Sequence, residues 1–142
     1  MRFQLPTIPQ LPLAWPYEPR PLGAAPLQQN AVALPGLGED WSLFALPTLS
    51  FGEALDFGDS FGRGGVQRWG EIVTRPYRRG GLVRHVNQRI YPTPQRFAHE
   101  FIVHRALWLA GFPTVEPLGY GWKRRCWGFE GVFLTRFTES DP

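Results

Sequence analysis

Hydrophobic and polar positions alternate most clearly in two parts of this chain. In the first, residues 66–69 (VQRW) and 70–77 (GEIVTRPY) read as two short strands with Gly70-Glu71 at the turn between them. The β-branched run Ile72, Val73 and Thr74 suits a pleated strand. Pro76 lacks an N–H, so that strand ends there or lies at an edge. In the second, residues 115–137 (VEPLGYGWKRRCWGFEGVFLTRF) read as a hairpin whose turn is the basic Lys123, Arg124 and Arg125. In its second arm Trp127, Phe129, Phe133, Thr135 and Phe137 share one face by period two. Val132 and Leu134 point to the other, so both faces are expected to be covered.

Between these parts the period changes from two to that of a helix. Phe97, Phe101, Trp108 and Leu109 recur at helical spacing, and Ala98 and Ile102 widen the apolar side. Thr93 is the expected N-cap, Pro94 the first helical residue, and Gly111 with Pro113 the stop. Glu100 and His104 lie one turn apart, flanking the apolar stripe. Before the first pair, residues 49–65 (LSFGEALDFGDSFGRGG) read as a weak strand running into a glycine turn. The order is three strands, one helix, two strands. The expected fold is α+β, with a mostly antiparallel sheet of about five strands.

Residues 1–48 show neither period. Nine prolines fall there, and the expectation is an irregular arm with polyproline II character, pinned to the body by Trp15, Tyr17, Trp41, Leu43 and Phe44 or left loose. The domain reading is therefore an arm over 1–48 and a folded body over 49–142. No continuous apolar run of signal-peptide length opens the chain, and none approaches the ~18 residues of a spanning helix.

Composition narrows this further. The chain has 142 residues, 43% hydrophobic, with 16 Gly and 15 Pro, which favours a turn-rich domain with a real core over a helical bundle. One cysteine, Cys126, leaves no intramolecular disulfide and no cysteine metal cluster. The three histidines do not take a zinc spacing with it, so no metal site is expected. Charge is divided unevenly. Residues 1–62 hold two basic and six acidic residues, whereas 63–136 hold thirteen basic and four acidic ones. Arginine dominates, and its planar fork suits phosphate and carboxylate.

Flexible glycine backbone beside fixed positive charge is what a phosphate requires. Glycine lets backbone approach the anion, a cation reaches its oxygens, and a carboxylate keeps a long cation in place. Here the phosphate loop is Gly62, Arg63, Gly64 and Gly65. The cation is Arg75 and its partner is Glu100. Glycine turn, cation-bearing strand, Glu-bearing helix and closing hairpin follow the layout of a protein-kinase N-lobe, with residues 72–75 (IVTR) where such folds carry a lysine.

The segments GRGGV, RPYRRGGLVRHVNQRIY, FAHEFIVHRALWLAGFPTVEPLGY and WGFEGVFLTRF resemble the lipopolysaccharide kinase family, the Kdo and heptose kinases, over about residues 61–137. The most specific element is the run from Tyr77 to Gly81. The resemblance implies ATP-dependent phosphorylation of a sugar hydroxyl on a lipid-linked glycan. It implies that Gly62, Gly64 and Gly65 cover the phosphates, Arg75 contacts them, Glu100 pairs with Arg75, and backbone around Thr138 and Glu139 faces adenine. Arg78, Arg79 and Arg84 are candidates for an anionic sugar, or form a solvated loop. The location implied is cytoplasmic, peripheral to the inner face of the membrane. Arginine at position 75 departs from the protein-kinase lysine. No catalytic HxD loop and no metal-binding DFG aspartate follows residue 137, so the chain is expected to be inactive alone, to hold ATP weakly or with a C-lobe polypeptide, and to bind no magnesium itself.

Two other classes fit the residues. One is a small basic module for single-stranded nucleic acid, with Trp69, Tyr77, Trp122 and Trp127 as stacking platforms between arginines, or alternatively as core. The other is a pseudokinase-type fragment that docks to a partner.

Overall fold

The computed structural model describes residues 12–21, 27–34, 38–46, 49, 54–56, 66–77, 90–125 and 127–138. Eight strands and one helix follow in chain order: β1 (Gln28–Leu34), β2 (Gly38–Ala45), β3 (Ala54–Asp56), β4 (Gln67–Trp69), β5 (Ile72–Pro76), β6 (Ile90–Tyr91), α1 (Gln95–Leu109), β7 (Pro117–Arg125) and β8 (Gly128–Arg136). They form one curled sheet in the order β1-β2-β7-β8-β5-β4-β3, with β6 also paired to β8. Every pairing is antiparallel. The architecture is α+β.

The five strands expected from the pattern are β3, β4, β5, β7 and β8. The β4–β5 turn closes with Trp69 opposite Ile72, and Gly70 takes a φ of 63°, a left-handed conformation that costs glycine little. The turn of the second hairpin differs from expectation. Lys123, Arg124 and Arg125 belong to β7 and pair with Glu130, Phe129 and Gly128, so the chain reverses after Arg125. Pairing runs through the charge run because its cations find partners there: Lys123 lies over the Trp41 ring and Arg125 reaches Glu130.

The larger correction is to the arm. Residues 28–34 and 38–45 form a hairpin, and β2 joins the sheet through Ser42–Trp122, Leu43–Gly121, Phe44–Tyr120 and Ala45–Gly119. Pro26, Pro35 and Pro47 bracket two proline-free runs, and the strands lie within them. The prolines act here as strand boundaries. Residues 12–21 remain without strand or helix, and they are docked.

The sheet covers both of its faces. On one, Leu34, Trp41 and Leu43 of the added hairpin cluster with Trp69, Ile72, Leu118, Val132 and Leu134. On the other, α1 packs Phe97, Ala98, Phe101 and Ile102 against Phe44, Tyr91 and Tyr120, with Tyr77, Phe129 and Phe133 around them. Gly131 makes the second contact possible, because a Cβ there would run into the ring of Phe97. Val132 and Leu134 thus oppose Phe129 and Phe133, as the alternation requires.

The helix begins and ends by backbone. Pro94 is its N-cap, in a helical conformation and without a side-chain cap, so Thr93 does not cap it. The Phe97 N–H donates to the Pro94 carbonyl at 3.2 Å, and the proline ring pre-sets the turn. At the other end Gly111 (φ 90°) donates to the Trp108 carbonyl and Phe112 to the Leu107 carbonyl, each at 3.0 Å, a Schellman closure.

Candidate functional site

Register places one row of side chains across the helix-facing side of the sheet. Phe44 pairs with Tyr120, Tyr120 with Phe133, and Phe133 with Arg75. The first two rings stack at 5.1 Å and 7° between planes. Phe101 of α1 lies over Tyr120 at 5.4 Å and Phe133 at 6.4 Å. Arg75 therefore ends an aromatic row on the helix-facing side of the sheet. Tyr77, two residues on, shares that face and packs on Phe97 (5.0 Å) and Phe133 (5.8 Å).

Burial drives the Tyr77 phenol far above its usual range, and the negative charge of Glu100 pushes the same way. That influence links Glu100 to Tyr77, which follows the strand of Arg75. The ion-pair partner of Glu100, however, is Arg96, whose Nε donates to Oε1 at 3.2 Å. The expected Arg75–Glu100 pair is not formed. Arg96 is one helical turn away and within reach whatever the tertiary structure does, whereas Arg75 is itself partnered.

The other expected site residues divide between those described and those not. Thr138 follows β8, is half-buried and is partnered. Gly62, Arg63, Gly64, Gly65, Arg78, Arg79, Arg84 and Glu139 lie outside the described residues. The strands flanking the glycine turn, β3 and β4, do pair with each other, Asp56 against Gln67.

Two features escaped the sequence pattern. An open groove of about 450 Å³ runs beside Glu100, lined by His99, Val103, His104, Leu107, Phe112 and Thr114. His104 is fixed in it: Nε2–H donates to the Val115 carbonyl, and Thr114 Oγ1 lies equally close, both at 3.0 Å. Burial lowers its pKa, and the bond to the Val115 carbonyl offsets part of that. Its ring also leans on Phe133 at 5.2 Å.

The second feature is a run of four charges that ties the helix to the sheet ends. Buried Arg105 contacts Glu116 at 3.5 Å and donates to the Pro117 carbonyl at 2.9 Å. Glu116 also accepts from Arg136 at 2.6 Å, and Arg136 reaches Glu71 at 3.0 Å. Only the three-dimensional return of β8 to the β4–β5 turn brings these residues together, so no spacing announced them.

Of the four proposed stacking aromatics, Trp69 is buried, Tyr77 packs under the helix, and Trp122 sets its edge on Phe129 at 5.3 Å. Trp127 is exposed. Among the described residues no three His, Cys, Asp or Glu side chains gather closely enough to hold a metal ion, and no helix is long and apolar enough to cross a membrane. No family model, curated protein or solved structure matches the chain.

Proposed function

We propose that this chain is a nucleotide-binding lobe similar to that of the ATP-dependent kinases acting on lipopolysaccharide core sugars. The observation that carries the reading is that Arg75 and Tyr77 lie on the helix-facing side of the sheet and that Glu100, on that helix, acts electrostatically on the Tyr77 phenol. A glycine-bearing hairpin, a cation-bearing strand, a Glu-bearing helix and a closing hairpin also occur in that chain order within one sheet. In this reading Arg75 holds phosphate oxygens, and Glu100 exchanges Arg96 for Arg75 when nucleotide binds. The Gly62–Gly65 backbone covers the phosphates. ATP would supply the phosphoryl group, and a base and a magnesium carboxylate would come from a C-lobe polypeptide beyond these residues.

Titration with a fluorescent ATP analogue tests this. Binding should weaken about ten-fold or more in Arg75→Ala, since a charge-assisted bond to phosphate is lost. It should weaken less in Glu100→Ala, where the cation remains but wanders. No binding by the intact chain, or binding indifferent to both substitutions, would sink the reading.

A further inference from the structure

The two ends of the sheet are finished differently. At one end stands β3, three residues long, too short to template a partner. At the other stands β1, seven residues long (QQNAVAL), with neither a charge nor a proline. It pairs with β2 on one side, and among the described residues no strand pairs with its other side. Every second residue of an antiparallel strand turns its N–H and C=O away from its neighbour, so β1 presents a row of these groups outward. Gln28, Gln29, Asn30, Ala31 and Ala33 are all exposed. The one irregularity, a register shift, falls between Ala33 and Leu34 and leaves the stretch from Gln28 to Ala33 regular. Proteins blunt an edge strand with shortness, lysine, proline or a bulge inside the strand, and β1 has none of these along that stretch.

We propose that β1 pairs antiparallel with β1 of a second copy of this chain, joining two sheets into one across a two-fold axis. A row of backbone donors and acceptors is satisfied along its length only by another strand. A second copy fits because two identical antiparallel strands are self-complementary, with the axis at mid-strand beside Asn30 and Ala31. No charge within either strand opposes the pairing. The exposed acid on the neighbouring strand, Asp40, pairs with Ala33, and the two-fold carries the two copies of Asp40 to opposite ends of the new ribbon. They are then farther apart than a Debye length of about 8 Å, so their repulsion is screened. An extended peptide from another protein would meet the same backbone groups. Its selection needs pockets for alternate side chains, and the exposed side chains of β1 form none. A seven-residue ribbon buries less than the ~800 Å² per partner of a standard interface, so the dimer is weak and forms with rising concentration. The proposal is independent of the nucleotide reading, because β2, β7 and β8 separate β1 from the strand of Arg75 in the sheet.

Sedimentation equilibrium of the full chain over a range of concentrations decides it. The mass should rise from one copy toward two and stop there. Hydrogen exchange over the same range should show residues 28–34 gaining protection while residues 54–56 do not. Ala31→Lys and Ala31→Glu each set like charges across the axis, and each should raise the concentration of half-dimerisation about five-fold. An equal mixture of the two variants should recover the parent value, because the charges then meet as opposites. Ala31 is exposed and its partner on β2 is Ser42, so circular dichroism of the dilute variants should match that of the parent. A chain that stays monomeric, a dimer without protection of residues 28–34, or charge variants that dimerise as the parent does overturns the proposal. So does a mixture that fails to recover, or growth past two copies, which places the contact on surfaces that do not close. A monomer whose residues 28–34 gain protection only from an added extended peptide of unrelated sequence assigns the edge to a different partner and overturns it too.

Discussion

The indole N–H of Trp15 donates to the carbonyl oxygen of Ala110 at 2.6 Å. A residue near the start of the chain thereby closes the C-terminal end of α1. Arg20 completes the closure: its backbone N–H donates to Leu109 at 2.5 Å, its Nη1 to Trp108 at 3.1 Å and to Phe112 at 3.3 Å, and its guanidinium lies over the Trp108 ring. The last carbonyls of a helix lack internal donors and carry the negative end of its dipole, so an arginine is well placed there. Trp15→Phe keeps the ring contacts with Tyr17 and Phe112 and removes the donor. It should cost about 1 kcal/mol in urea denaturation. Trp15→Ala should cost more and be non-additive with Arg20→Ala, because both hold the same segment.

Two glycines with positive φ separate backbone cost from docking cost. Gly70→Ala meets nothing within 4 Å, so it should lose only the left-handed preference, about 1 kcal/mol. Gly111→Ala has the same backbone penalty and also drives its Cβ into the Glu18 carbonyl. The difference in unfolding free energy between the two variants should be about the stability lost in Trp15→Ala. Equal midpoints would mean that residues 12–21 contribute nothing to stability.

Gly131→Ala tests the packing of helix on sheet. A Cβ there occupies the space of the Phe97 ring, which is fully buried and has no room to retreat. Overpacking of this kind costs about 1–3 kcal/mol. Phe97→Leu in the same chain should recover part of it, a double-mutant result that surface strain would not give.

Within the run of four charges, burial sets the hierarchy. Glu116→Gln leaves buried Arg105 without its carboxylate and should cost about 3 kcal/mol. Glu71→Gln removes an acid whose side chain is 82% exposed, and should cost less than about 1 kcal/mol. Thermal or urea denaturation of the two variants side by side reads the contrast.

His104 gives the fold a defined acid sensitivity. Its folded pKa is below the 6.5 of the free side chain, chiefly through burial. Above that value the ring is neutral in both states and contributes no slope. As pH falls below 6.5 the unfolded chain takes up a proton that the folded chain refuses, so stability drops until the lowered folded pKa is reached. Denaturation between neutral and mildly acidic pH should show this loss, and His104→Gln should flatten it.

The pattern of residues carried much of the body of this protein because its signals are local. Ile72, Val73 and Thr74 next to Gly70 make a tight hairpin on their own, and alternation from Phe129 to Phe137 fixes which side of a strand is dry. The stop at Gly111 needs only a residue that tolerates a left-handed φ. In the candidate site, sequence order supplied the strand of Arg75 and the helix of Glu100 but not their partners. A carboxylate on a helix always has a neighbour four residues back, and which cation prevails depends on distances set by the sheet.

By itself, then, the sequence determined the strand-helix-hairpin order, the face each apolar side chain takes and the close of the helix, since each follows from steric preferences and periods within a few residues. Tertiary structure alone decided that residues 28–34 and 38–45 become strands, that Phe44, Tyr120, Phe133 and Arg75 stand in one row, and that Trp15 seals Ala110. Those contacts join segments far apart in the chain. Their free energy comes from removing both partners from water together, and neither partner carries a local mark of the other.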